Sequence, residues 1–244
     1  PPDGLNGVGV TNGAGGNKRG NGAVDLCMRQ YFAANVASGN WSFQAGYDNT
    51  TSGQAAMNLG CQNQSTATCS FTVGQLNGAS ADYTRAEGFG NAASSYCAGA
   101  RGLWAVADRY AMLAHASGGF DGYTGDSQSV RFIARNRTTN NTPTELFLNG
   151  SSTRLTIPSG KVLSCMIRIS GIKSDGSTVA DYVRQYSLKN VAGTTSQVYA
   201  PVTIGTDNAS GTSISITADD TNDALKIEVT GITAETWRWV AVVE

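Results

Sequence analysis

One residue in every seven is small along a third of this chain. Aligned in sevens from Asn35, a single column holds Gly39, Gly46, Gly53, Gly60, Ala67, Gly74, Ala81, Gly88, Ser95 and Gly102. The first column holds Asn35, Asn49, Asn63, Asn77 and Asn91, one in every second seven, so the true repeat is fourteen residues. The second half of each unit often sets an apolar pair before its small residue: Phe43 with Ala45, Met57 with Leu59, Phe71 with Val73. Self-similarity of this kind decides the fold before any local propensity does.

A seven-residue period raises the coiled coil first, and the residues reject it. A coiled coil needs Leu or Ile at two positions per heptad among strong helix formers. Here the invariant column is mostly Gly, which costs a helix about 1 kcal/mol at each occurrence. Flanking ion pairs are also missing, because 35–103 holds only Asp48, Asp82, Glu87, Arg85 and Arg101 as charges. A strand fits instead. Residues two apart share a strand face, so Phe43 and Ala45 point one way and Ser42 and Gln44 the other. A Gly shortly after each apolar group can take the positive φ of a sharp corner. Two short strands and two corners per fourteen residues make one coil of a thin parallel β-solenoid, with about 4.8 Å between coils. The recurring Asn would stack coil on coil as an amide ladder. Cys69 and Cys97 fall two coils apart, about 10 Å, too far for a bridge within the chain.

A solenoid this thin encloses only a narrow strip of small side chains, which favours side-by-side association of identical chains. Segments such as NVASGNWSFQAGYDNTTSGQAAMNLG resemble the head repeats of trimeric autotransporter adhesins and similar repeats of bacteriophage tail fibres. The resemblance covers Asn35 to about Ala116 and implies a left-handed parallel β-roll, three of which pack around an axis. Ala67, Ala81 and Ser95 depart from the corner Gly, and the last two sevens, AVADRYA and MLAHASG, are degenerate, as at a capped end. The lead-in GNKRGNGAVDLCMRQYFAANVASG and the exit AHASGGFDGYTGDSQSVRFIARNRTTNNTPTELFLNGSSTRLTIPSG are similar to phage tail-fibre segments, which favours a phage fibre over a bacterial surface adhesin. An autotransporter would also bring a coiled-coil stalk and a membrane-barrel anchor. A chain that opens on Pro1 rather than Met reads as a fragment or a processed product.

The rhythm stops after Ser117. Alternating apolar runs follow at intervals of about ten to fifteen residues, bounded by Gly, Asn, Asp and Thr, the pattern of an antiparallel sandwich or jelly roll. The expected strands are Ser129–Asn136, Thr144–Leu148, Arg154–Ile157, Val162–Ser170, Ala180–Leu188, Gln197–Ile204, Ser213–Thr217, Ala224–Thr230 and Thr236–Val243. Asn149-Gly150 suits a tight hairpin, since both residues tolerate positive φ. The organisation is then an N-terminal connector (1–34), a β-roll shaft (35–116) and a C-terminal β-rich tip (117–244), all-β throughout.

Chemistry is sparse. Net charge is −1 with only 14% charged residues, and no basic block exists to hold a nucleic-acid backbone. No apolar run reaches the length of a transmembrane helix, so no membrane insertion is expected. The five cysteines, Cys27, Cys61, Cys69, Cys97 and Cys165, contain no CxxC pair and read as buried reduced thiols. His115 stands without a second ligand, and TADDTNDAL, with Asp219, Asp220 and Asp223, lacks the Gly and downstream Glu of a calcium loop. Gly13, Gly15, Gly16 and Gly20 are not a phosphate loop. No metal, cofactor or catalytic residue is expected.

Binding suits the residues better. Tyr182, Arg184 and Tyr186 alternate along one strand as an aromatic–cation–aromatic row, and such rings stack on sugars while Arg donates paired hydrogen bonds. Cross-strand pairing or a subunit interface is the competing use of the row. Trp237 and Trp239 also share a face and suit a core. The resemblance implies a homotrimeric tail-fibre segment in the virion. Its tip would bind a host surface glycan or outer-membrane receptor, and its N-terminus would meet other tail or baseplate proteins. Two alternatives use the same fold: a tailspike-type polysaccharide depolymerase, for which the repeats offer only Asp48, Asp82 and Glu87, and a purely structural trimerisation segment. A bacterial cell-surface location goes with the adhesin alternative.

Overall fold

The computed structural model describes residues 19–27, 36–120 and 124–244. Asn35, Gly13, Gly15 and Gly16 lie outside the described residues, as does most of the expected connector. No helix occurs among the described residues. The chain divides into two units, Pro1–Val130 and Arg131–Glu244.

The first unit is a parallel β-solenoid. Its long strands are β2 (Phe43–Tyr47), β4 (Met57–Cys61), β6 (Phe71–Gln75), β8 (Arg85–Phe89), β10 (Gly99–Leu103) and β12 (Leu113–Ser117). Short strands β3 (Thr50–Thr51), β5 (Gln64–Ser65), β7 (Gly78–Ala79), β9 (Ala92–Ala93) and β11 (Val106–Ala107) alternate with them. Each long strand pairs with the next at a register of fourteen, Phe43 with Met57 and Met57 with Phe71. The short strands stack as a second sheet. Strand β1 (Val24–Cys27) adds one more layer, with Val24 opposite Phe43.

The interior is narrow and largely polar. Two residues in seven point inward. One column runs Gln44, Thr51, Asn58, Ser65 and Thr72 and then turns to alanine at Ala79, Ala86, Ala93, Ala100 and Ala107, every member buried. The other alternates Asn49, Asn63, Asn77 and Asn91 with Ser42, Ala56, Ser70, Thr84 and Ala98, also buried. Thus Ser42 and Gln44 face in, and Phe43 and Ala45 face the outside of the long-strand sheet. Buried polar groups must be satisfied, and here they satisfy one another. Thr51 Oγ1 donates to Gln44 Oε1 at 2.8 Å, Asn58 Nδ2 donates to Thr51 Oγ1 at 2.8 Å, and Ser65 Oγ donates to Asn58 Oδ1 at 2.6 Å.

The glycine column serves a different purpose from the one expected. The left-handed corners are Trp41, Asp48, Ala55, Gln62, Cys69, Leu76, Tyr83, Gly90, Cys97, Trp104 and Ala111, with φ between 50° and 65°. These sit two residues after the small column, and nearly all carry side chains. Each non-Gly corner costs about 1 kcal/mol of backbone strain, offset by bonds between coils such as Leu76 N–H to the Cys61 carbonyl at 3.0 Å. The column itself splits in two. Gly46, Gly60, Gly74, Gly88 and Gly102 lie within the long strands at φ between 103° and 117°. A Cβ on any of them would fall 2.0–2.2 Å from the carbonyl oxygen one coil on. Gly39 and Gly53 have no positive φ and share their column with Ala67, Ala81 and Ser95. They too lie against a carbonyl, at 2.0 and 1.9 Å from an added Cβ.

The second unit holds two antiparallel sheets. The larger is ordered β13 (Gln128–Thr138), β21 (Trp237–Val243), β16 (Lys161–Lys173), β17 (Val179–Val191) and β18 (Thr194–Thr203). The smaller has β20 (Ala224–Thr230) at its centre, β19 (Ser213–Asp219) on one edge, and β14 (Thr144–Glu145) and β15 (Leu155–Thr156). All nine expected strands are present. The Asn149-Gly150 hairpin is not: β14 and β15 both run antiparallel to β20, pairing with its two ends, so they follow each other in one direction. Only Gly150 has positive φ (83°), while Asn149 Oδ1 accepts the N–H groups of Ser151, Ser152 and Thr153. The core contains Phe132, Ile167, Ile169, Leu225, Ile227 and Val229, with Trp237 and Trp239 stacked at 5.6 Å. Gly171 makes room for the second ring, since a Cβ there would meet it at 2.4 Å.

Candidate functional site

Strand β17 does bring Tyr182, Arg184 and Tyr186 to one face, but that face is the buried one. Tyr182 is 3% exposed and Tyr186 0%, so neither ring has a surface to offer a sugar. The Tyr182 hydroxyl is bonded to Thr212 Oγ1 at 2.7 Å. Arg184 donates twice to Asp207, at 2.7 and 2.6 Å, and lies 5.8 Å from the Tyr182 ring centre. The hydrogen bonds from Arg184 hold the Asp207 carboxyl below its usual range, and burial pushes both phenols up. The row therefore anchors the 205–212 loop onto β17. Alternation along a strand tells which residues share a face but not which face is wet, and the apolar bodies of two tyrosines belong inside.

The acidic candidates also have structural partners. Glu87 is paired with Arg85, and Asp82 Oδ1 accepts the Thr68 N–H at 2.9 Å. Asp219 accepts from Asn222 Nδ2 at 2.7 Å, Asp220 from the Thr195 N–H at 2.6 Å, and Asp223 from Thr195 Oγ1 at 2.7 Å. His115 is exposed on β12 opposite Arg101. Among the described residues, no group of three or more His, Cys, Asp or Glu could hold a metal ion.

The thiols fall into two kinds. Cys27 and Cys165 are buried as expected, but Cys69 and Cys97 are exposed at left-handed corners, and Cys61 is half-buried. A thin solenoid turns so many positions outward that a cysteine at a corner has no interior to enter.

Among the described residues, three exposed surfaces bear on binding. On the outside of the long-strand sheet, the half-buried Phe43, Phe71, Leu59, Val73 and Tyr47, with exposed Met57, form an apolar strip over the early coils. Arg85, Glu87, Arg101 and His115 replace it farther on. At one corner, Tyr83 and Tyr96 meet edge-on at 5.5 Å, and Tyr96 stacks on Tyr110 at 5.6 Å. On the outer face of the second unit's large sheet, Arg131, Ile133, Arg135 and Arg137 of β13, Arg238 and Val240 of β21 and Arg168 of β16 are all exposed. That last cluster was readable as alternation in VRFIARNRTT, whose apolar partners Phe132 and Ala134 are buried.

No protein-family model and no curated protein matches the chain. Among solved structures, the chain is similar to the tailspike protein of Acinetobacter phage vB_ApiP_P1, with 10% sequence identity and a TM-score of 0.28. The alignment covers 93% of this chain and 53% of that one, so this chain spans about half the tailspike's length.

Proposed function

We propose that the protein is a receptor-binding segment of a phage tail fibre: a β-solenoid shaft that associates as a homotrimer and a β-rich tip that binds a host surface glycan without cleaving it. The observation that carries this reading is the outer strip of Phe43, Met57, Phe71, Leu59 and Val73, set in register by the fourteen-residue stacking of β2, β4 and β6. An exposed apolar surface of this kind marks an association site, and identical strips on sister chains are the complementary partners that symmetry supplies. Three tips on one axis bind by avidity, so each contact can be weak. The sequence resemblance to tail-fibre repeats and to their entry and exit segments supports the phage assignment and a virion location. Binding rather than cleavage is the reading favoured by the scarcity of carboxyls on the repeats, which offer only Asp48, Asp82 and Glu87, since a glycosidase needs two of them flanking one bond.

The test is adsorption. Purified protein added to cells of the phage's host should bind them and block infection by the parent phage, with no reducing ends released from isolated capsule or lipopolysaccharide. Release of reducing ends would replace binding with depolymerase activity. Trimers that neither bind cells nor compete with phage would leave only the structural role.

A further inference from the structure

Five arginines project from one sheet face of a chain whose net charge is −1. Their partners are unequally shared. Arg131 and Arg168 both reach the Glu244 carboxylate, at 3.1 and 2.8 Å. Arg135 donates to the Leu148 and Asn149 carbonyls, at 3.2 and 3.1 Å, which fixes its side chain, and among the described residues no carboxylate opposes its charge. Arg137 and Arg238 stand directly opposite each other in the β13–β21 register, and among the described residues neither guanidinium has a side-chain or backbone partner. Opposed residues on antiparallel strands have Cβ atoms about 5 Å apart, where like charges destabilise the pair. Two residues back along β13, Arg135 lies on the same face and adds a third cation.

The surroundings are not a plain solvated rim. Arg238 is opposite Ile172, which is opposite Val179, and Arg135 is opposite Val240. Val179 is 50% exposed and Val240 43% exposed, so apolar surface flanks the cations on the same open face. Guanidinium forks match the two oxygens of a carboxylate or phosphate, and small aliphatic groups beside them accept the C–H face of a sugar ring.

We infer that the outer face of β13, β21 and β16 is an anion site, in which Arg137 and Arg238, with Arg135 beside them, bind a carboxylate or phosphate group carried on a saccharide chain. An oxyanion between the opposed guanidiniums converts their repulsion into two charge-assisted contacts. The site deepens the receptor-binding reading by giving the glycan its charge.

The intact protein is titrated by calorimetry with polygalacturonate, a phosphorylated mannan and neutral dextran at low and at physiological salt. At least one acidic polymer should bind, dextran should not, and affinity should fall as salt rises. A carboxylate source is indicated if polygalacturonate wins and a phosphate source if the mannan does. Arg137→Ala and Arg238→Ala should each weaken binding about tenfold, and R137K should restore only part of it, since a point charge lacks the fork. Arg101→Ala, on the solenoid, should leave binding unchanged. Both alanine variants should melt no lower than the parent protein, which separates lost binding from lost fold. The site is overturned if neither acidic polymer binds, if the alanine variants bind as well as the parent, or if they break up the oligomer and so mark the face as an interface. Adsorption to host cells that survives R137A together with R238A refutes the site while sparing the receptor reading. Acidic-polymer binding without host adsorption does the reverse.

Discussion

Asn63 Nδ2 donates to the Gly74 carbonyl, eleven residues on, at 2.9 Å. The same amide bonds the Leu59 carbonyl at 3.0 Å, and its Oδ1 accepts the Asn77 N–H at 2.9 Å. Gly74 must lack a Cβ because Gly88 O would lie 2.1 Å from it. The two most regular columns of the sequence are thus one device, in which each Asn grips the backbone of the coil above where a Gly lets that coil come close.

Removing one rung should therefore be expensive. Asn77→Ala orphans the Asn91 N–H and the Val73 and Gly88 carbonyls inside the solenoid. With a penalty of about 1–3 kcal/mol for each buried unpaired group, partly shared with neighbours, a loss of about 3 kcal/mol is expected in denaturant unfolding. Asn77→Asp should lose at least as much, because a carboxylate would face two carbonyls.

Glycines of the same solenoid should answer differently to alanine. Gly60 has φ 117° and a Cβ there would sit 2.0 Å from Gly74 O, so Gly60→Ala should cost at least about 4 kcal/mol through clash and strain together. Gly78 has nothing within 4 Å of its Cβ position and no positive φ. Gly78→Ala should leave stability unchanged or raise it by up to about 1 kcal/mol by stiffening the unfolded chain. Melting curves of the two variants check both.

Much of this was legible in the sequence, and the failures have physical causes. The fourteen-residue period gave the coil, its register and the Asn ladder, since stacking forces identical environments on equivalent residues. Periodicity could not show what each column is for. Gly60 resembles a corner residue as much as a close-approach residue, and the corners went to Gln62 and Leu76 because ladder bonds between successive coils sustain their strain. Gln44, Thr51, Asn58, Ser65 and Thr72 do not read as a core column by hydrophobicity because they are polar, yet all are small or amide-bearing at a spacing of seven. In the second unit, alternation located nine strands, but Tyr182 and Tyr186 show that it leaves inside and outside undecided.

The buried tyrosines make a separate test. Tyr186 is fully buried, and among the described residues its hydroxyl has no hydrogen-bond partner. Tyr186→Phe removes that unmet group and should be neutral or stabilise by up to about 1 kcal/mol. Tyr182→Phe breaks the bond to Thr212 and should cost about 1 kcal/mol. Neither change should alter glycan binding, whereas a sugar-stacking role for these rings would require that it does.

Thiol reactivity should follow burial. Cys69 and Cys97 should react with a disulfide reagent in the native protein within minutes, Cys61 more slowly, and Cys27 and Cys165 only after unfolding. Burial pushes the Cys165 thiol up to about 12 from an ordinary 9.0. Its folded pKa lies above its unfolded one, so its contribution to stability is complete below about pH 9 and is lost as pH rises from there toward 12. Cys165→Ala should flatten that alkaline decline relative to the parent protein, as read by unfolding midpoints between pH 8 and 11.

The solenoid's outer strip is dry only if sister chains cover it, and the mass of the particle in solution tests this most directly. Multi-angle light scattering on the intact chain should give three chain masses, and Phe71→Asp with Leu59→Asp, both on the strip, should shift the particle toward one. A single-chain mass of 25.3 kDa for the parent protein at micromolar concentration would contradict the account.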